Sequence, residues 1–203
     1  MNINGVKAEE MAINNVDSLF ETLVPLPTPL RLTQCVVHGH EILICGGGEI
    51  KTCFSYHTLK NQYKLICSYP EGIEMGHCVV KRLSPSTNEL TLLSLSGQDR
   101  EKQKYGFVMK YKSVWDNEGE NQKEKQYNEW MPFTDNSNKL ITIGKDDDCH
   151  FGLRGVIGGS DNHLLFMTYF PKNIDVFNLN TFQYAKQEML PMRNGNRVHY
   201  HCF

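Results

Sequence analysis

Histidine and cysteine crowd together at three places in this sequence: His199-x-His201-Cys202, His38-x-His40 and Cys149-His150. Residues two apart on a β-strand share a face, so His199 and His201 have the spacing to chelate a divalent cation. No Cys-x-x-Cys pair accompanies them, and a zinc site normally shows that kind of spacing. His38 and His40 flank Gly39 and read as a turn. The run Asp146, Asp147, Asp148 would attract Ca²⁺, but it lacks the alternating ligands of a calcium loop and reads as a solvated acidic loop. Cys53 and Cys149 are the thiols expected to be exposed. Neither has a His and a carboxylate arranged beside it, and Cys149 and His150, as strand neighbours, would point to opposite faces. There is no Gly-x-Ser-x-Gly elbow. Gly46-Gly47-Gly48 lacks the Gly-Lys-Ser/Thr ending of a phosphate loop, and no helical pattern follows it. Its simpler role is to end a strand where backbones approach closely or φ turns positive. The expectation is therefore no catalytic, cofactor-binding or metal-ligating residue, no cofactor, and a protein that is not an enzyme.

The chain that must position these residues has 203 of them, with 21 Lys+Arg against 23 Asp+Glu and a formal net charge of −2. That balance argues against a broad electrostatic grip on nucleic acid or anionic lipid. The basic residues of Arg100–Lys104 and Lys123–Lys125 alternate with Glu and Gln and read as solvated loops. No apolar run approaches the roughly 18 residues of a membrane span; the strongest, Leu164–Met167, has the length of a strand. Met1–Asp17 holds Glu9, Glu10 and Asp17 and no apolar core, so no secretory signal is expected there. Seven cysteines are an odd number, and no Asn-x-Ser/Thr sequon occurs. Cys35, Cys45, Cys67 and Cys78 sit in or beside apolar runs, as small hydrophobes do. Reduced cysteines in a reducing compartment, the cytoplasm, are the expectation.

The chain also repeats itself. Gln34-Cys35-Val36-Val37 returns as His77-Cys78-Val79-Val80, a shift of 43, and His201-Cys202-Phe203 begins the pattern again. Arg154-Gly155-Val156-Ile157 is a weaker copy. A second half recurs as well: Tyr56 and Tyr63 are seven apart, as are Phe177 and Tyr184, and Trp115 and Trp130 take these parts in the middle unit around a charged insertion. Pro70, Pro132 and Pro191 follow. Two aromatics bracketing a tight polar turn suit a β-hairpin whose rings pack from adjacent strands. Short apolar runs at Cys35–Val37, Ile42–Cys45, Leu90–Leu95, Phe107–Tyr111, Leu164–Tyr169 and Ile174–Phe177 predict strands. Turn-formers separate them at His38–His40, Ser84–Asn88 and Gly158–Asn162. Four short strands every forty-odd residues is the pattern of a propeller blade.

These units resemble kelch repeats. The family pattern is carried by Arg31-x-x-Gln34, then Ile42-Leu43-Ile44-Cys45-Gly46-Gly47, then Tyr56 and Tyr63. The second unit keeps one glycine of the doublet, Gly97 after Ser96, and carries Trp115 and Trp130. The third has Thr168-Tyr169 where the glycines would stand, with Phe177 and Tyr184 at the aromatic positions. The resemblance spans about residues 20 to 203. It implies an all-β fold, a kelch-type β-propeller segment of about three to four four-stranded blades, with units at about 30–72, 73–135, 151–192 and the start of another at 197–203. Residues 1–18 form a lead, a short helix or disordered, and 19–203 the propeller segment. Phe20–Leu23 reads as the last strand of a blade. Closed propellers have about four to eight blades, so an open, incomplete ring is expected, with unpaired edges through which chains could self-associate.

The resemblance further implies a non-enzymatic protein–protein interaction module whose protein partner is unknown, with no nucleic acid and no membrane span. No BTB-, BACK- or F-box-like segment is visible. Two alternatives stand beside it. One is a small-molecule-binding propeller with a channel site, like galactose oxidase, none of whose copper-ligand residues can be matched here; the other is a truncated repeat fragment without activity of its own. Propeller specificity resides in loops, here Gln98–Tyr105, Asn117–Gln126 and Thr134–His150. Tyr127, Asp146, Asp147 and Asp148 are the binding-loop residues expected, with Trp115 and Trp130 as aromatic anchors unless they pack inside the blade.

Overall fold

A computed structural model describes residues 21–48, 50–70, 76–98, 104–116 and 127–201. Among them there is no helix, and therefore none long and apolar enough to cross a membrane. The described chain folds as three antiparallel meanders of four strands. Sheet I contains β1 (Gln34–His38), β2 (Glu41–Gly47), β3 (Ile50–His57) and β4 (Gln62–Ser68). Sheet II contains β5 (Cys78–Leu83), β6 (Leu90–Gln98), β7 (Lys104–Tyr111) and β8 (Met131–Pro132). Sheet III contains β9 (Cys149–Gly158), β10 (Leu164–Phe170), β11 (Asn173–Asn178) and β12 (Gln183–Met189). In each sheet the spatial order follows the chain, with short hairpin connections everywhere but between β7 and β8, which residues 112–130 join.

The turns are built as their residues dictate. β1 and β2 close over Gly39-His40, with His38 opposite Glu41 and Gly39 at φ +57°. The β3–β4 and β11–β12 turns match one another: His57 pairs with Gln62 and Asn178 with Gln183, and each turn ends on a left-handed residue, Asn61 or Phe182. Asparagine tolerates that conformation. Phenylalanine does so at a cost and here packs its ring 6.0 Å from that of Phe133.

Sheet II is the middle layer, with a core on each face. Leu90, Leu92, Phe107, Met109, Tyr111 and Trp130 meet Val36, Leu43, Cys45 and Cys53 of sheet I. Cys78, Val80, Leu93 and Leu95 meet Leu153, Leu165, Met167 and Phe177 of sheet III. Burial on both faces is why β6 reads Leu90-Thr91-Leu92-Leu93-Ser94-Leu95 instead of alternating apolar with polar. The first strands stand together, β5 lying against both β1 and β9.

Register corrects the repeat. Gln34 pairs with Cys45, and Cys78 with Leu95; the β2–β3 and β6–β7 ladders then break just beyond Cys45 and Leu95, before Gly47 and Gly97. Gln34 is thus the counterpart of Cys78, a shift of 44 and not 43. The extra residue matters because a slip of one sends every side chain to the other face. Val36 faces sheet II, and its counterpart Val80 faces sheet III. Val79, matched to Val36 by letter, points the opposite way, at sheet I.

The aromatic pairs follow the same rule. Tyr56 opposes Tyr63, ring centroids 4.8 Å apart, and Phe177 opposes Tyr184 at 5.3 Å. In sheet II the counterpart of Tyr56 is Met109, and Trp130, one residue before the Met131–Val108 pair, continues the register opposite it. Trp130 therefore takes the expected place and Trp115 does not. Phe177 and Tyr184 point into the interface with sheet II, Met109 and Trp130 into the interface with sheet I. Tyr56 and Tyr63 occupy the equivalent face of sheet I, where Val37 (57% exposed) and Leu65 (61%) also lie.

The chain ends differ from expectation. Residues 1–20, with Phe20 among them, lie outside the described residues, and 21–26 form no strand. Residues 196–201 are not a strand either. They lie along sheet III, with Val198 N–H donating to Pro171 O, Tyr200 N–H to Gly152 O, and His201 bonded to Thr168.

Candidate functional site

Polar side chains gather at two points where one sheet meets the next. The first lies between sheets II and III. Asp175, on β11 and 2% exposed, accepts from the Tyr169 hydroxyl at 2.8 Å and from Gln187 Nε2 at 3.1 Å. Asp148, in the loop before β9, is 3.3 Å from the same hydroxyl and accepts the Lys145 N–H at 2.7 Å. Tyr169 has one proton for two carboxylates. Burial, then its bond to Asp175, raise its phenol well above the ordinary range. The Tyr184 hydroxyl accepts the Gly144 N–H at 2.7 Å, and burial pushes that phenol up too. His150 lies fully buried with its ring 4.5 Å from that of Tyr169. Burial, aided by the Lys104 charge and opposed by Asp148, pushes it down to about 4. Gly144 has φ +103°, and a Cβ there would stand 2.3 Å from His150 Cε1, so glycine is required for this close approach.

This cluster anchors the β8–β9 loop to sheet III and splits the acidic run. Asp148 turns inward, while Asp146 and Asp147 stay exposed at the tip. Lys104 Nζ holds the loop from the other side by donating to the Lys145 and Asp146 carbonyls, at 2.5 and 3.4 Å.

The second cluster lies between sheets I and II. Glu41, 7% exposed, accepts from Ser55 Oγ at 2.6 Å and Tyr111 OH at 2.5 Å. Burial and these contacts with Glu41 raise the Tyr111 phenol. Trp115 Nε1 donates to Ser55 Oγ at 2.8 Å. Its ring lies edge-on to His57, with Lys60 and Lys64 Nζ 5.0 and 4.9 Å from its centroid. Trp115 thus spans to sheet I as a cross-sheet tie. Trp130 is buried, stacks on Tyr69 at 4.6 Å, and donates its indole N–H toward Cys53 Sγ at 3.4 Å.

The remaining predicted positions are placed as follows. Gly46 and Gly47 sit where added Cβ atoms would meet the Tyr69 ring at 2.8 Å and the Arg31 carbonyl at 2.5 Å. Gly97 pairs with Tyr105 past the break in the β6–β7 ladder. Tyr127 donates to Glu89, which also pairs with Lys110. Of the expected binding loops, 99–103 and 117–126 lie outside the described residues. His199 stacks between Phe170 and Tyr200, and His38 lies edge-on to Tyr111. Among the described residues no group of three or more His, Cys, Asp or Glu is placed to hold a metal ion.

Sequence reasoning missed Glu41, Ser55, Tyr111, Tyr169 and Asp175. A carboxylate inside a strand was the available signal, since such a group is rarely buried without partners. No known protein-family model matches the chain, and no curated protein matches its sequence. The reading of its function therefore rests on its own residues.

Proposed function

We propose that this chain is a kelch-type propeller segment that serves as a non-enzymatic platform for binding other proteins. The observation that carries this reading is the repeated blade geometry. Three meanders stack face to face with their first strands together, and each sends its Tyr63, Trp130 or Tyr184 position toward the same side. Such a scaffold fixes its strands and leaves the connecting loops to vary. The polar clusters support the same role. Glu41 and Asp175 are tied to hydroxyls from adjacent elements, an arrangement that holds loops in place. The acidic tip at Asp146 and Asp147, held from beneath by Asp148 and Lys104, is the binding surface this reading favours, and it suits a basic segment of a partner protein.

The test separates loop from fold. The double variant Asp146→Lys, Asp147→Lys keeps the unfolding midpoint of the wild type and loses at least tenfold of the co-purifying protein measured by quantitative mass spectrometry. Trp130→Ala instead costs about 3–5 kcal/mol of stability by loss of a buried aromatic. Capture that is indifferent to the loop charges, or lost only when the fold is lost, would count against the proposal.

A further inference from the structure

Three thiols lie in a row across sheet I. Cys45 on β2 is directly opposite Cys53 on β3, and Cys53 is directly opposite Cys67 on β4. Their side chains face sheet II, where Cys45 and Cys53 belong to the core and Cys67 packs against its margin, its Sγ 3.7 Å from Met109 Sδ. Cys45 and Cys53 are fully buried, and Cys67 is partly open to solvent. A lone buried cysteine is a small hydrophobe; three aligned ones place sulfurs within reach of one another.

The ladder sets the distances. The Tyr69 N–H donates to Lys51 O, so Lys51 and Tyr69 form a hydrogen-bonded pair. Two residues along, Cys53 and Cys67 stand directly opposite, next to the bulge that separates this pair from Phe54 and Leu65. Opposed strand residues hold their Cβ atoms about 4.5–5.5 Å apart and a disulfide needs about 3.5–4.5 Å, so closing this pair draws β3 and β4 together by about 1 Å beside the bulge. The Cys53 sulfur is also a focus of donors. The Trp130 indole N–H donates toward it at 3.4 Å while its own thiol points to Lys51 O at 4.0 Å, and the neighbouring Cys45 thiol, then that of Cys67, hold it well below the usual range against the effect of burial.

We propose that Cys53 and Cys67 are a dithiol that a small hydroperoxide converts to a cross-strand disulfide. The Cys53 sulfur attacks the peroxide, the O–O bond breaks, and one water leaves with Cys53 as a sulfenic acid. The Cys67 sulfur then attacks Cys53 sulfur; the S–O bond breaks, and the departing hydroxide takes the Cys67 proton as a second water. The two thiols supply two electrons, and hydrogen peroxide accepts both. Cys67 is the partner, not Cys45, because it stands on the solvent side. Cys67 is partly exposed, whereas Cys45 is buried in the core against sheet II.

The test treats the folded, reduced protein with hydrogen peroxide, alkylates the remaining thiols and maps tryptic peptides. The expected product is 2 Da lighter, with residues 52–60 joined to 65–81 and fragment ions that place the link on Cys53 and Cys67 and the alkyl group on Cys78. Cys67→Ser removes this link and Cys45→Ser keeps it. The wild-type map decides the matter even where a variant fails to fold. A Cys45–Cys53 link, oxygen additions with no link, unchanged thiols, or a link that forms only in urea would each overturn the proposal.

Discussion

His150 carries the clearest consequence at the scale of single residues. In the unfolded chain its imidazole takes a proton near the ordinary 6.5; buried beside Tyr169 it resists until about 4. The depressed value means that the folded state prefers the neutral ring. Its contribution is complete above the unfolded value, is lost as pH falls from 6.5 to about 4, and changes no further below that. The loss is on the order of 3 kcal/mol. Urea unfolding at pH 7 and pH 4 should show wild type losing that much more stability than His150→Gln. Equal losses in the two proteins would show that His150 is not held neutral. Glu41 and Asp175 are each buried beside hydroxyl donors, Ser55 and Tyr111 for the first and Tyr169 for the second, as a buried polar group requires.

At the scale of elements, position in the stack sets the cost of a substitution. Leu92 is fully buried between sheets I and II, whereas Leu65 is 61% exposed on the far side of sheet I. Leu92→Ala should cost about 2–5 kcal/mol and Leu65→Ala no more than about 0.5 kcal/mol, read from chemical denaturation. Similar costs would place Leu65 in a core that the fold does not provide. Much at this scale was legible in the sequence. Apolar runs and turn residues marked β1, β2, β6, β7, β10 and β11, Gly39 and Gly159 fell in hairpins, and Tyr56/Tyr63 and Phe177/Tyr184 paired across strands as their spacing implies. The repeat shift was not legible, because letters align Cys35 with Cys78 while hairpin length decides register. The β1–β2 turn has two residues and the β5–β6 connection six, Ser84 to Glu89, so the two hairpins cannot be aligned by letters alone. Trp115 misled for a related reason. A tryptophan stands out in a sequence, but the position opposite Trp130 belongs to the less conspicuous Met109. The Cys45, Cys53 and Cys67 row was hidden because it exists only once two hairpins have folded.

For the whole molecule, the central claim is that sheet II is a middle layer covered on both faces, flanked by two sheets that each turn one face outward. The arrangement explains the near-continuous apolar run of β6, the opposite facing of Val36 and Val79, and the exposure of Val37 and Leu65. It also leaves β4 and β12 as sheet edges, the strands best placed to pair with another chain. Native-state amide hydrogen exchange, resolved strand by strand, addresses this most directly, since local opening tracks how much structure covers a segment. The account predicts the slowest exchange in β6 and β7 and exchange at least a hundredfold faster in β12. Exchange in β6 as fast as in β12 would contradict the stacked order of the three sheets.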